Sequence, residues 1–107
     1  DLAKSGNISV SVEAIAALAN LAVNDANEVE IAEKGGLEPI LSAAATGNID
    51  LQSQSARALR NLSVNKENKK KIVGLGGIEI LSRLRMVNEE RISRQATRAL
   101  TNLGVEV

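Results

Sequence analysis

"ALRNLSVNKEN", residues 58–68, has already occurred once in the chain, as "ALANLAVNDAN" at residues 17–27. Its core occurs a third time as "ALTNLGV" at residues 99–105. Successive copies are offset by 41 residues, and the turn "GGLE" (35–38) returns as "GGIE" (76–79) at that same offset. Laying residues 1–66 over 42–107 without gaps gives 22 identities in 66 positions, a third of the overlap. A period near forty residues points to a helical solenoid, in which each repeat is one supersecondary unit stacked on the next.

The apolar spacing agrees with three copies of one long helix. Val10, Ala14, Ala17, Leu18 and Leu21 follow the i, i+4, i+7, i+8, i+11 pattern of a single helical stripe. The stripe returns as Leu51, Ser55, Ala58, Leu59 and Leu62, then as Ile92, Ala96, Ala99, Leu100 and Leu103. Between these lie two shorter helices, roughly 26–34 and 67–75, anchored by Ile31 and Ile72 and closed by Gly35-Gly36 and Gly76-Gly77. Middle helices follow at "LEPILSAAA" (37–45) and "IEILSRLRM" (78–86), with Pro39 in a first turn, where a missing N–H costs nothing. "TGNID" (46–50) and "VNEE" (87–90) each offer an Asn or Asp to cap the long helix behind them. Asn24 and Asn65 fit caps at the turn after the long helix.

"KKKIVGLGGIEI" (69–80) has the look of a phosphate loop, but the repeat explains it otherwise. Gly74 occupies the column of Glu33, so the first glycine is dispensable to the architecture. The dinucleotide pattern would need glycine at position 79, which is Glu79, and no strand precedes the turn. Lys69, Lys70 and Lys71 fall in the columns of Glu28, Val29 and Glu30, a solvated face that tolerates either sign.

Composition excludes several functions. The 107 residues carry 13 basic and 13 acidic groups, which argues against bulk electrostatic binding to nucleic acid or membrane. The charge is nonetheless polarised. Residues 1–41 hold two basic and seven acidic groups, a net of −5, and residues 42–107 hold eleven and six, a net of +5. No Cys or His is present, so no disulfide, thiolate nucleophile, His base or common zinc set is expected, and no metal, cofactor or catalytic residue is assigned. The lack of Phe, Trp and Tyr removes any aromatic platform for bases. Glu89 and Glu90 fit the N-terminal turn of the last long helix, where carboxylates complement the helix dipole, rather than a catalytic pair. No apolar run reaches membrane-spanning length and no signal-peptide pattern opens the chain, so direct membrane insertion is not expected. With Asp1 in place of an initiator Met, the expectation is an excised piece of a cytoplasmic or nuclear protein.

A short helix opening N-x-x-x-I, a Gly-Gly turn, a middle helix and a long helix ending A-L-x-N-L resembles the armadillo repeat. Asn27 to Ile31 and Asn68 to Ile72 match the start, and Ala17 to Leu21, Ala58 to Leu62 and Ala99 to Leu103 match the end. The wording is most similar to the β-catenin and vacuole-associated branch. HEAT repeats rank second, because they usually lack the Gly-Gly turn and the recurring Asn. The resemblance implies an all-α, right-handed solenoid of three-helix repeats. Residues 1–24 would end an earlier repeat, and 25–65 and 66–107 would be the next two.

The resemblance also implies that the long third helices line a concave groove, where the recurring Asn binds the backbone of an extended peptide. That column holds Asn20, Asn61 and Asn102. At about 100° per residue, Gln54, Arg57 and Asn61 lie between about 240° and 300° from Leu51, clear of the core stripe. Gln95, Arg98 and Asn102 repeat that face. A carboxamide suits a peptide unit because it offers both donor and acceptor. The same Asn could instead satisfy the end of a neighbouring helix. Nuclear-import adaptors commonly place Trp one turn before the groove Asn, and those positions here hold Ala16, Arg57 and Arg98. The arginines, with Arg60 and Arg94, favour an acidic or phosphorylated ligand. The expected function is therefore a non-catalytic protein-interaction scaffold. The alternatives are a structural spacer with no peptide ligand and an import-adaptor-like peptide binder. Val10, Val12 and Ile15 at one end and Leu100, Leu103 and Val105 at the other have no evident cap, so head-to-tail self-association is a further expectation.

Overall fold

The computed structural model describes residues 8–21, 35–45 and 48–105. Every regular element among them is helical: α1 (Ile8–Leu21), α2 (Leu37–Ala44), α3 (Ile49–Leu62), α4 (Lys66–Gly74), α5 (Gly77–Arg85) and α6 (Glu90–Asn102). The long helices α1, α3 and α6 stack side by side. α3 packs against α1 on one flank and α6 on the other, while α1 and α6 make no comparable contact. The result is an open stack rather than a closed bundle. The middle helices α2 and α5 form a second layer, α2 on α3, α5 on α6, and each against the other.

The stripe expected for the second and third long helices is the core. Leu51, Ser55, Ala58, Leu59 and Leu62 of α3 are buried, as are Ile92, Ala96, Ala99 and Leu100 of α6, with Leu103 half-buried behind them. The alanines let the helix axes approach closely, and each fully buried Leu or Ile contributes about 1.5–3 kcal/mol of hydrophobic stabilisation. In α1 the expectation needs correction. Ile15 and Ala19 are buried against α3, but Ala17 is exposed, Leu21 is 51 % exposed, and Ala14 is only half-buried. The stripe is covered in α3 and α6 by a middle helix, and no described element plays that part over α1. The side chains of Val10, Val12 and Leu18 lie outside the described residues.

Caps follow the chemistry of each turn. Asn48 caps α3, its Oδ1 accepting from the Leu51 N–H at 3.0 Å. Asn65 caps α4, accepting from the N–H groups of Glu67 at 2.9 Å and Asn68 at 3.1 Å. The cap expected from Asn88 does not form. Glu89 is the first residue outside α6, without a side-chain cap bond, and its carboxylate meets the Arg91 Nε at 3.3 Å. Asn24 and the short helix expected over 26–34 lie outside the described residues.

The Gly-Gly turn is confirmed with separate duties. Gly35 and Gly76 hold φ of 78° and 84°, the left-handed region that favours glycine. Gly77 needs its missing side chain for a different reason: a Cβ there would sit 2.7 Å from the Ile72 carbonyl oxygen. Nothing crowds Gly74, in keeping with the glutamate in its column.

The uncovered apolar end expected at Leu100, Leu103 and Val105 is absent. Leu100 is 1 % exposed, and Leu103 and Val105 pack against the core. Gly104, with φ 86°, closes α6 by sending its N–H to the Thr101 carbonyl and the Val105 N–H to the Leu100 carbonyl, both at 3.0 Å. This left-handed closure folds the tail back onto the helix.

Candidate functional site

The final carbonyls of a helix have no intrahelical partner and must find donors elsewhere. Here the recurring Asn supplies them from the neighbouring helix. Asn61 Nδ2 donates to the Ala19 carbonyl at 3.2 Å, and Asn102 Nδ2 donates to the Arg60 carbonyl at 3.0 Å. Ala19 and Arg60 are one repeat apart, so the same bond is made twice between successive long helices. Asn102 also reaches Ser63 Oγ at 3.1 Å, and that hydroxyl donates to the Arg60 carbonyl at 3.0 Å. Asn61 keeps its second N–H and its Oδ1, and Asn102 keeps its Oδ1, without a partner among the described residues. Asn20 is exposed and has no such bond among the described residues.

Asn61 and Asn102 share an open groove of about 330 Å³ between α3 and α6, lined also by Arg60, Val64, Arg98 and Thr101. Of the seven residues expected at the site, three meet here: Asn61, Asn102 and Arg98. The others are engaged or apart. Arg57 donates to Gln54 Oε1 at 2.9 Å within α3, pairing two expected groove residues with each other. Gln95 accepts from Arg60 at 3.0 Å and so cross-links α3 to α6. Arg94 is ion-paired with Glu90 one turn earlier. Arg98 is exposed, with no polar partner among the described residues. Arg60 and Arg98 therefore give the groove its positive charge.

Sequence reasoning placed Arg60 only in a supporting role and missed Val64 and Thr101. Val64 carried a signal, since Val23, Val64 and Val105 recur at the repeat interval. Thr101 carried none, because its column holds Ala19 and Arg60. No group of three or more acidic, His or Cys side chains that could hold a metal lies among the described residues. Nor is any described helix long and apolar enough to cross a membrane.

The family model for the Armadillo/beta-catenin-like repeat matches residues 24–64 and 65–105. Among solved structures, three crystal structures of engineered proteins superimpose on most of the chain. One matches with a TM-score of 0.92 at 32% identity over 96% of this chain and 42% of its own. A second gives 0.91 at 34% identity over 95% of this chain and 25% of its own. A third gives 0.90 at 30% identity over 95% and 43%. The chain thus spans less than half the length of these engineered proteins. No curated protein sequence matches it significantly.

Proposed function

Because the chain belongs to the Armadillo/beta-catenin-like repeat family, whose repeats generally mediate protein–protein interaction, we propose that it is a non-catalytic scaffold whose groove between α3 and α6 binds an extended acidic segment of a partner. One observation carries this reading. Asn61, Asn102, Arg60 and Arg98 share one open groove, and Arg98 has no polar partner among the described residues. The free Oδ1 of each Asn and the second N–H of Asn61 suit a peptide unit, and the guanidinium groups suit a carboxylate or phosphate. Each neutral hydrogen bond nets only about 0.5–1.5 kcal/mol, so the Asn61 and Asn102 carboxamides alone bind weakly and a longer array of repeats binds better. The test is titration with a short oligoglutamate at low and high salt. Binding should weaken as salt rises and be lost in Arg98→Glu, whereas affinity indifferent to both would refute the acidic-ligand assignment.

A second reading, the structural spacer, is favoured by the bonds that Asn61 and Asn102 already make to the preceding helix. On that reading Asn61→Ala and Asn102→Ala lower the melting temperature and leave oligoglutamate binding untouched. On the groove reading they lower both. Nothing on the groove supports an import-adaptor-like cage, because Arg57 and Arg98 stand where an aromatic would be needed.

A further inference from the structure

Val64 is 61 % exposed, yet its column-mate Val105 packs against the core. The preceding residue makes the difference. Gly104 takes φ 86° and turns the chain back, so that Val105 donates to the Leu100 carbonyl. Ser63 stays at φ −77°, and its hydroxyl is held by the Arg60 carbonyl and the Asn102 amide. The chain then runs on to Asn65, which is fixed as the cap of α4. Val64 is left beside Arg60, Asn61, Arg98 and Asn102 in the groove wall. Thr101, the remaining wall residue, has its hydroxyl committed to the Thr97 carbonyl at 3.0 Å. Among the described residues, Val64 is therefore the one aliphatic side chain lining a wall that is otherwise polar and positively charged.

We propose that Val64 is an aliphatic subsite of this groove, and that the segment bound there carries an aliphatic side chain two residues from an acidic one. The inference rests on the groove reading above and adds a second specificity element to it. The spacing follows from strand geometry, since alternate side chains of an extended segment face the same wall. The acidic side chain meets Arg98 and Arg60 by charge complementarity. The aliphatic one removes Val64 from water, and the backbone between them passes the two carboxamides.

The test is an NMR titration of the whole chain with three end-blocked peptides in a serine-glycine background. One carries glutamate and valine two residues apart, one glutamate and serine, and one serine and valine. The first should bind about five-fold more tightly than the second, with shifts at the Val64 methyls and the side-chain amides of Asn61 and Asn102. Val64→Ser should abolish that difference while leaving the melting temperature unchanged. Equal affinity for the first two peptides, with the amides still shifting, would overturn the subsite and leave the groove intact. If no peptide shifts those amides, the groove reading and the subsite fall together.

Discussion

Ser55 shows how a single atom departs from its repeat. Its Oγ is buried in α3 with no hydrogen-bond partner among the described residues, while the same column holds Ala14 and Ala96. A buried hydroxyl without a partner forfeits its hydration, so Ser55→Ala should stabilise the fold by about 1 kcal/mol, read as a higher denaturant midpoint at an unchanged slope. The two asparagines give a graded expectation. Asn61→Ala removes one bond to the preceding helix, whereas Asn102→Ala removes contacts to both Arg60 and Ser63. Each should cost about 0.5–1.5 kcal/mol per bond lost, with Asn102→Ala melting at the lower temperature. The recurrence of Asn was plain in the sequence, and so was its fitness to satisfy the end of a neighbouring helix. Which carbonyl receives the bond was not, because that depends on where the neighbouring helix ends. Engagement of Arg57 by Gln54 was equally hidden. Spacing puts them on one face but does not say whether they bond each other or a ligand.

Helix ends were legible wherever a short polar side chain had one job. Asn48 and Asn65 cap as their positions indicate, and Asn48→Ala should cost about 1 kcal/mol in chemical denaturation. Asn88→Ala should cost nothing measurable, since Asn88 is not the cap of α6. The Gly-Gly turn separates further. Gly77→Ala should destabilise by about 1–3 kcal/mol, because the new methyl meets the Ile72 carbonyl. Gly74→Ala, in open space near the end of α4, should be neutral or stabilise by up to about 1 kcal/mol. Differential scanning calorimetry of the two variants checks the pair. The contrast between Ser63 and Gly104 was visible as a one-letter change in a repeated phrase. Its consequence, one valine outward and one inward, required the left-handed closure of α6 to be seen in three dimensions. The exposed side of α1 was misjudged because a periodic stripe marks what can be buried, and only the presence of a covering helix decides whether it is.

At the scale of the molecule, three similar helices lie in an open row, with a second layer of shorter ones on one side. That arrangement turns residues 41 positions apart into neighbours, and so turns a sequence period into a groove wall. The surface ion pairs Glu79–Arg83, Glu89–Arg91 and Glu90–Arg94 are largely exposed and add little to stability. The stack is held by its apolar columns and by the polar links from Asn61, Asn102 and Arg60 across the long helices. The period, the helical class and the stacked order could all be read from the chain. The groove's membership could not, since it depends on which side chains the helix contacts leave free. A nuclear Overhauser spectrum of the side-chain amides tests this most directly. The account predicts cross-peaks from the Asn61 amide protons to Ala19 and from the Asn102 amide protons to Arg60 and Ser63. Cross-peaks confined to residues of each asparagine's own helix would contradict it.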